Sequence, residues 1–240
     1  MSPGYWVFGW PVSHSLSPAI HNAAFRATGL DARMTTWAVE PAGFADAVGE
    51  AVAAGGRGAS VTVPHKAAAL ALAHRVLAPA ADIGAVNCLA FADDGTITGA
   101  NTDAAGFVDA LAEAGFSASG KRAVILGAGG AARAVVFGLV AAGASSVAVI
   151  ARSPERAAWA PGSVAPWTAA SFDRLLPACD LLVDATTLGL AAGGEARAPA
   201  PIPVDALPAS ATVASLIYHR TPELLARARD RGLATVGGAG

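Results

Sequence analysis

Short apolar runs alternate with longer stretches whose apolar residues recur at helical spacing. Tyr5 to Gly9, aromatic and β-branched, predicts a strand. Ser17 before Pro18 marks a helix start, with a capping hydroxyl and proline at the first helical position, and Gly29 marks its end. Met34 to Val39 predicts a second strand, Pro41 to Ala54 a helix stopped by Gly55-Gly56, Ala59 to Val63 a third strand and Lys66 to His74 a helix. Val86 to Ala92 and Ile97 to Ala100 flank Asp93-Asp94-Gly95, the signature of a hairpin turn.

Asp103 to Ala114 reads as helical up to Gly115. Ala123 to Leu126 and Val147 to Ala151 read as buried strands around a nearly all-apolar helix, Ala131 to Ala142, that Gly143 ends. Strands follow at Leu181 to Asp184, Thr212 to Leu216 and Ala234 to Val236, with a helix over Pro222 to Arg231. Leu190 to Pro208, rich in Ala, Gly and Pro, reads as a surface loop. Such alternation predicts an α/β chain of parallel sheets covered by helices. The expected organisation is a three-layer α/β domain over 1–103, a connecting helix and linker over 104–120, and a second, Rossmann-type α/β domain over 121–240.

Composition narrows the function. Hydrophobic residues make up 54% of 240 and charged residues 14%, so the chain can bury real cores. The net charge of −2, with both signs scattered, excludes a nucleic-acid surface. Two distant cysteines, Cys88 and Cys179, and five unclustered histidines argue against a disulfide scaffold or metal site and fit a reducing cytoplasm. No signal-peptide pattern opens the chain. The longest uncharged run, Ala134 to Ala151, is broken by Gly143, Ser145 and Ser146, so it reads as helix, turn and strand rather than a membrane span.

Two places carry chemistry. Gly127-Ala128-Gly129-Gly130-Ala131-Ala132 lies between a strand and a helix, the context in which a glycine motif signals a dinucleotide. Gly127 permits the tight turn, Gly129 close approach of a pyrophosphate, and the helix N-terminus favours phosphate. The next strand ends without the acid that holds the ribose of NAD; Arg152 and Ser153 stand there, with Arg156 beyond, so NADP is the expected cofactor. In the first half, Lys66 and Asp103 stand at element ends where parallel sheets place ligands, and such a pair could exchange a proton with a hydroxyl or carbonyl. Alone, each is more often a solvated surface charge or a cap. Ser15 and Ser17 at a helix start could bind a carboxylate, or Ser17 could simply cap.

Together these segments resemble the shikimate dehydrogenase family. Gly9-Trp10-Pro11, His14-Ser15-Leu16-Ser17-Pro18 and His21-Asn22 resemble its opening signature, and Val61-Thr62-Val63-Pro64-His65-Lys66 its catalytic-lysine segment. Gly84-Ala85-Val86-Asn87 and Gly99-Ala100-Asn101-Thr102-Asp103 are similar to further substrate segments, Ala185-Thr186-Thr187-Leu188-Gly189 to the cofactor domain, and Ile217-Tyr218 to a substrate-side tyrosine. The resemblance implies reversible NADPH-dependent reduction of 3-dehydroshikimate to shikimate. Lys66 would be the acid/base group with Asp103 as partner and substrate ligand; Ser15 and Ser17 would hold the carboxylate; Ser60, Thr62, Asn87 and Tyr218 would contact the ring. Gly127 to Ala131, Arg152, Ser153, Arg156 and Thr186 would seat the cofactor.

Three departures stand out. Many family members have asparagine where Ser60 stands; the acid often found shortly before the tyrosine is replaced by Ser215; and members usually continue past Gly240 into a helix with a substrate-binding glutamine and a last helix that packs on the first domain. Exposed apolar surface there would favour a homodimer. Three other readings remain: a quinate or aminoshikimate dehydrogenase, an NADP(H)-binding protein without turnover, and an enzyme like methylene-tetrahydrofolate dehydrogenase. The last would not require the His14-to-Pro18 loop.

Overall fold

The aromatic run forms β1 (Gly4–Gly9), followed by α1 (Ser17–Thr28), β2 (Arg33–Ala38) and α2 (Phe44–Ala53). Next come β3 (Gly58–Val61), α3 (Lys66–Leu72), β4 (Arg75–Val76), α4 (Ala80–Ile83), β5 (Cys88–Phe91) and β6 (Ile97–Ala100). The computed structural model describes residues 4–188, 201–218 and 221–238. The chain divides into two units, Met1–Thr102 and Asp103–Gly240.

The first unit holds a six-stranded sheet in the order β2-β1-β3-β5-β6-β4. β1 runs parallel to β2 and β3, but β5 is antiparallel to both β3 and β6. The sheet is therefore mixed, with the antiparallel pair β5 and β6 at the hairpin the sequence predicts. The cause is local, since the few residues around Gly95 (φ 80°) can join β5 to β6 only antiparallel. Alternation along β1 sends Phe8 to one face and Val7 to the other. Phe8 packs with Phe44 and Val48 of α2, and Val7 with Met34 of β2 and Phe25 of α1, so helices cover both faces.

The second unit opens with α5 (Asp103–Glu113) and continues through β7 (Arg122–Leu126), α6 (Gly130–Ala141), β8 (Ser146–Ala151), β9 (Ser163–Pro166) and α7 (Ala169–Leu175). It finishes with β10 (Leu181–Asp184), β11 (Thr212–Ser215), α8 (Glu223–Asp230) and β12 (Ala234–Val236). All pairings are parallel, in the order β12-β11-β10-β7-β8-β9. Counted from β7, that is the doubly wound dinucleotide order, with the switch point between β7 and β10. Leu126, Ile150 and Leu182 fill one face of the sheet; Ile125, Val149 and Val183 fill the other.

The segment 104–120, read from sequence as a connecting helix and linker, packs within this second unit. Leu111 lies in its core, and a Cβ on Gly138 of α6 would stand 2.7 Å from the Ala104 carbonyl oxygen. Of the expected loop over Leu190 to Pro208, residues 190–200 lie outside the described residues, as does Gly189. The end of that loop is not a surface feature, because Val204 and Leu207 are buried in the core. No helix among the described residues is long and apolar enough to cross a membrane.

Candidate active site

In the first unit, strand direction gathers the sequence-derived substrate residues along one sheet edge. β1 and β3 both end there. The antiparallel β5 begins there and β6 ends there, so Ser60, Cys88 and Ala100 lie side by side in register. Thr62 extends β3 beyond its end, with its N–H donating to the Phe8 carbonyl at 2.9 Å. Gly9 faces it, and a Cβ at Gly9 would lie 2.5 Å from the Thr62 methyl, so this close crossing requires glycine.

Asn87 and Thr102 brace one another at the same edge. The Asn87 amide donates to Thr102 Oγ1 at 2.9 Å, and the Thr102 N–H donates to Asn87 Oδ1 at 2.9 Å. Asn101 is buried and donates to the Ala85 carbonyl at 2.9 Å. The sequence pattern reveals neither Thr102 nor Asn101 as a brace, because their partners lie some fifteen residues away in the segment before β5.

Ser17 is the first residue of α1; the capping position is Leu16, and no side chain caps the helix. Instead the Ser17 N–H donates to Ser15 Oγ at 3.3 Å. The expected capping role of Ser17 is thus corrected.

Lys66 opens α3 and is half-buried; its carbonyl accepts the Val86 N–H at 2.9 Å, which fixes its backbone to the segment before β5. The preceding His65 anchors the turn. It is buried, stacked on Phe44 with ring centroids 4.5 Å apart, and its Nε2 lies 2.8 Å from the Val39 carbonyl oxygen. Burial lowers the pKa of His65 from the ordinary histidine value, and the Val39 hydrogen bond only partly opposes this. The folded state therefore resists a proton that the unfolded chain accepts as pH falls through about 6.5. We predict a thermal midpoint that declines from pH 7 to pH 5, with a shallower decline in His65→Asn. Parallel profiles for the two proteins would contradict this role for His65.

Asp103 follows Thr102 directly and opens α5 of the second unit. In that unit, β7 passes into the glycine turn. Gly127 has φ 109°, and a Cβ there would lie 2.9 Å from the Ala185 carbonyl oxygen, so only glycine fits. Gly129 is extended and faces open space, and α6 begins at Gly130. Ala128 and Ala131 are half-buried beside it. Arg152 and Arg156 are exposed at the end of β8 and in the following 3-10 turn; the Arg156 N–H donates to the Ser153 carbonyl at 3.0 Å. Neither guanidinium has a carboxylate partner among the described residues. An open glycine turn before a helix N-terminus, with two unpaired cations at the next strand end, fits a phosphorylated dinucleotide.

Thr186 stands just past β10, and its N–H and hydroxyl both donate to Asp184 Oδ1, at 3.0 and 2.7 Å. Tyr218 is half-buried beyond β11. Among the described residues no group of histidines, cysteines and acids could hold a metal ion.

Comparison with known proteins agrees with this geometry. Residues 7–89 match the shikimate dehydrogenase substrate binding domain. The chain is 42% identical over 243 residues to the NADP(+) shikimate dehydrogenase of Moorella thermoacetica, covering 97% of this chain and 81% of that one. Among solved structures it is similar to the shikimate 5-dehydrogenase of Thermus thermophilus in complex with NADP(H) and shikimate (36% identity, TM-score 0.84, 98% of this chain and 87% of that one). It is also similar to the 5-ketofructose reductase of a Gluconobacter strain (32% identity, TM-score 0.80, 99% and 87%). The chain belongs to the shikimate dehydrogenase family.

Proposed function

We propose that this protein catalyses the reversible NADP-dependent oxidation of shikimate to 3-dehydroshikimate. The observation that carries the reading is that Ser60 and Thr62 of the β3 segment lie beside Asn87, with the Lys66 backbone tied to Val86 next to it, in a chain whose other unit has a doubly wound sheet and a glycine turn. The nicotinamide, when bound, accepts or returns the hydride. Lys66 takes the hydroxyl proton as the alcohol becomes a ketone and returns it in the reverse direction, with Asp103 as its partner and a substrate ligand. Ser15 and Ser17 hold the carboxylate; Ser60, Thr62, Asn87 and Tyr218 orient the ring. Gly127 to Ala131 cradle the pyrophosphate, Thr186 borders it, and Arg152, Ser153 and Arg156 receive the 2′-phosphate. Much of the rate enhancement is orientation, which is why Asn87 is itself braced by Thr102.

Ser60 favours a second reading, a related polyhydroxy substrate such as quinate, since a short hydroxyl leaves more room at the ring than the asparagine common in the family. Specificity constants for shikimate and quinate, measured side by side with NADP+, separate the two. We expect shikimate to be preferred at least tenfold, about the worth of one well-placed hydrogen bond; preference for quinate would overturn the substrate assignment.

The same reading places the protein in a reducing cytoplasm without nucleic-acid or membrane partners; both cysteines are free. It also makes the protein a homodimer, for which Ile20 of α1 and Leu30 just beyond that helix are exposed. Sedimentation at assay concentration tests that state, and a monomer would contradict it.

A further inference from the structure

Asp184 is the last residue of β10 and is buried, with no lysine or arginine in ion-pair range among the described residues. A buried carboxylate without a cation is costly, so its hydrogen bonds must be accounted for. One oxygen accepts both the N–H and the hydroxyl of Thr186. Thr186 Oγ1 in turn accepts the Leu188 N–H at 3.1 Å, so the turn from 185 to 188 hangs on this carboxylate. The other oxygen faces the in-register residue of the next strand, Ser215, whose hydroxyl donates to it at 3.4 Å and accepts the Ile217 N–H at 3.3 Å. Two strand-end loops are thereby tied to one side chain. The first abuts the glycine turn, where the Ala185 carbonyl closes on Gly127; the second leads directly to Tyr218.

We infer that Asp184 is a positioning residue for the dinucleotide, holding the Thr186 turn against the glycine turn and tying it through Ser215 to the segment before Tyr218. The inference rests on the cofactor seat proposed above. Burial raises the Asp184 pKa from the usual carboxylate value, and the donors from Thr186 and Ser215 oppose that rise. Each of these bonds ends on a carboxyl oxygen, so the network uses the side chain as an acceptor. Asparagine can do the same work: its oxygen accepts both Thr186 bonds, and its amide donates to the free lone pair of Ser215 Oγ.

The test is NADP+ affinity by titration calorimetry, with thermal midpoints recorded for every variant. Asp184→Ala should weaken NADP+ about tenfold, the loss of one to two hydrogen bonds' worth of ordering. Asp184→Asn should stay within about threefold of the parent, and Thr186→Val should add little in the Asp184→Ala background although it weakens NADP+ in the parent. A merely structural Asp184 would lower the thermal midpoint of the alanine variant and leave its NADP+ affinity unchanged, which overturns the inference. So would an asparagine variant as impaired as the alanine one. If the parent binds NADP+ but does not oxidise shikimate, the proposed reaction fails while this test still stands. If the parent binds no NADP+, the cofactor seat and this role fall together.

Discussion

Lys66→Met is expected to lower kcat for shikimate oxidation by ~10² to 10⁴, the range associated with a positioned general acid or base, while NADP+ affinity stays within about twofold, well under the worth of one hydrogen bond. The two effects separate because Lys66 belongs to the first unit, whereas the glycine turn and the cations at the end of β8 belong to the second. The variant should fold. The backbone of Lys66 is held by the Val86 N–H and the turn before it by His65, and neither contact uses the lysine amine. Methionine keeps most of the apolar stem that a half-buried lysine lays along its neighbours. Steady-state rates with NADP+ saturating, together with calorimetric NADP+ affinity, decide the matter. A variant with parental kcat would remove Lys66 from the chemistry. One that loses NADP+ binding in proportion to turnover would assign it to the cofactor instead.

Arg152→Ala is the second large effect. It should weaken NADP+ by about 10- to 100-fold, the worth of hydrogen bonds to a charged group, and leave NAD+ affinity nearly unchanged. The reason is selective: only NADP carries the 2′-phosphate, and no acid stands at the end of β8 to hold the ribose hydroxyls of NAD. Arg152 is exposed and has no carboxylate partner among the described residues, so its removal breaks no ion pair within the fold. The contact is with a solvated anion, so the parent's preference for NADP+ should shrink as salt rises. Arg156→Ala should act in the same direction more weakly. Equal losses for both cofactors in Arg152→Ala would place that guanidinium on the pyrophosphate or on nothing at all.

Much of this arrangement is legible in the sequence, because strand ends announce themselves. Leu181–Asp184 and Ala234–Val236 form where the apolar runs predict them, and Gly29 closes α1 in the left-handed conformation its position implies. What stays hidden depends on partners distant in sequence. β4 is two residues long and has no alternation to read. β9 and α7 lie in a stretch mixing Pro, Trp and Ala, although one local signal marks the helix: Thr168, whose side chain accepts the Ser171 N–H at the N-cap. The antiparallel course of β5 follows from its hairpin, which the turn residues do announce, yet the alternation of apolar runs alone points to a parallel sheet.

Asp184 illustrates the limit most clearly. In the sequence it is simply the residue that ends a strand. Its partner Ser215 is 31 residues away and is brought opposite only by the register of β10 with β11. Likewise the brace between Asn87 and Thr102 joins the residues just outside the two ends of a hairpin, so Asn87 reads as a substrate contact while the residue that holds it does not.

The most direct measurement is the appearance of reduced nicotinamide when the purified protein is given NADP+ and shikimate, against controls lacking shikimate and with NAD+ in place of NADP+. The account predicts steady turnover with shikimate and NADP+, none without shikimate, and a much slower rate with NAD+. Saturable NADP+ binding with no shikimate-dependent reduction would contradict it and leave a protein that binds the dinucleotide without carrying out this reaction.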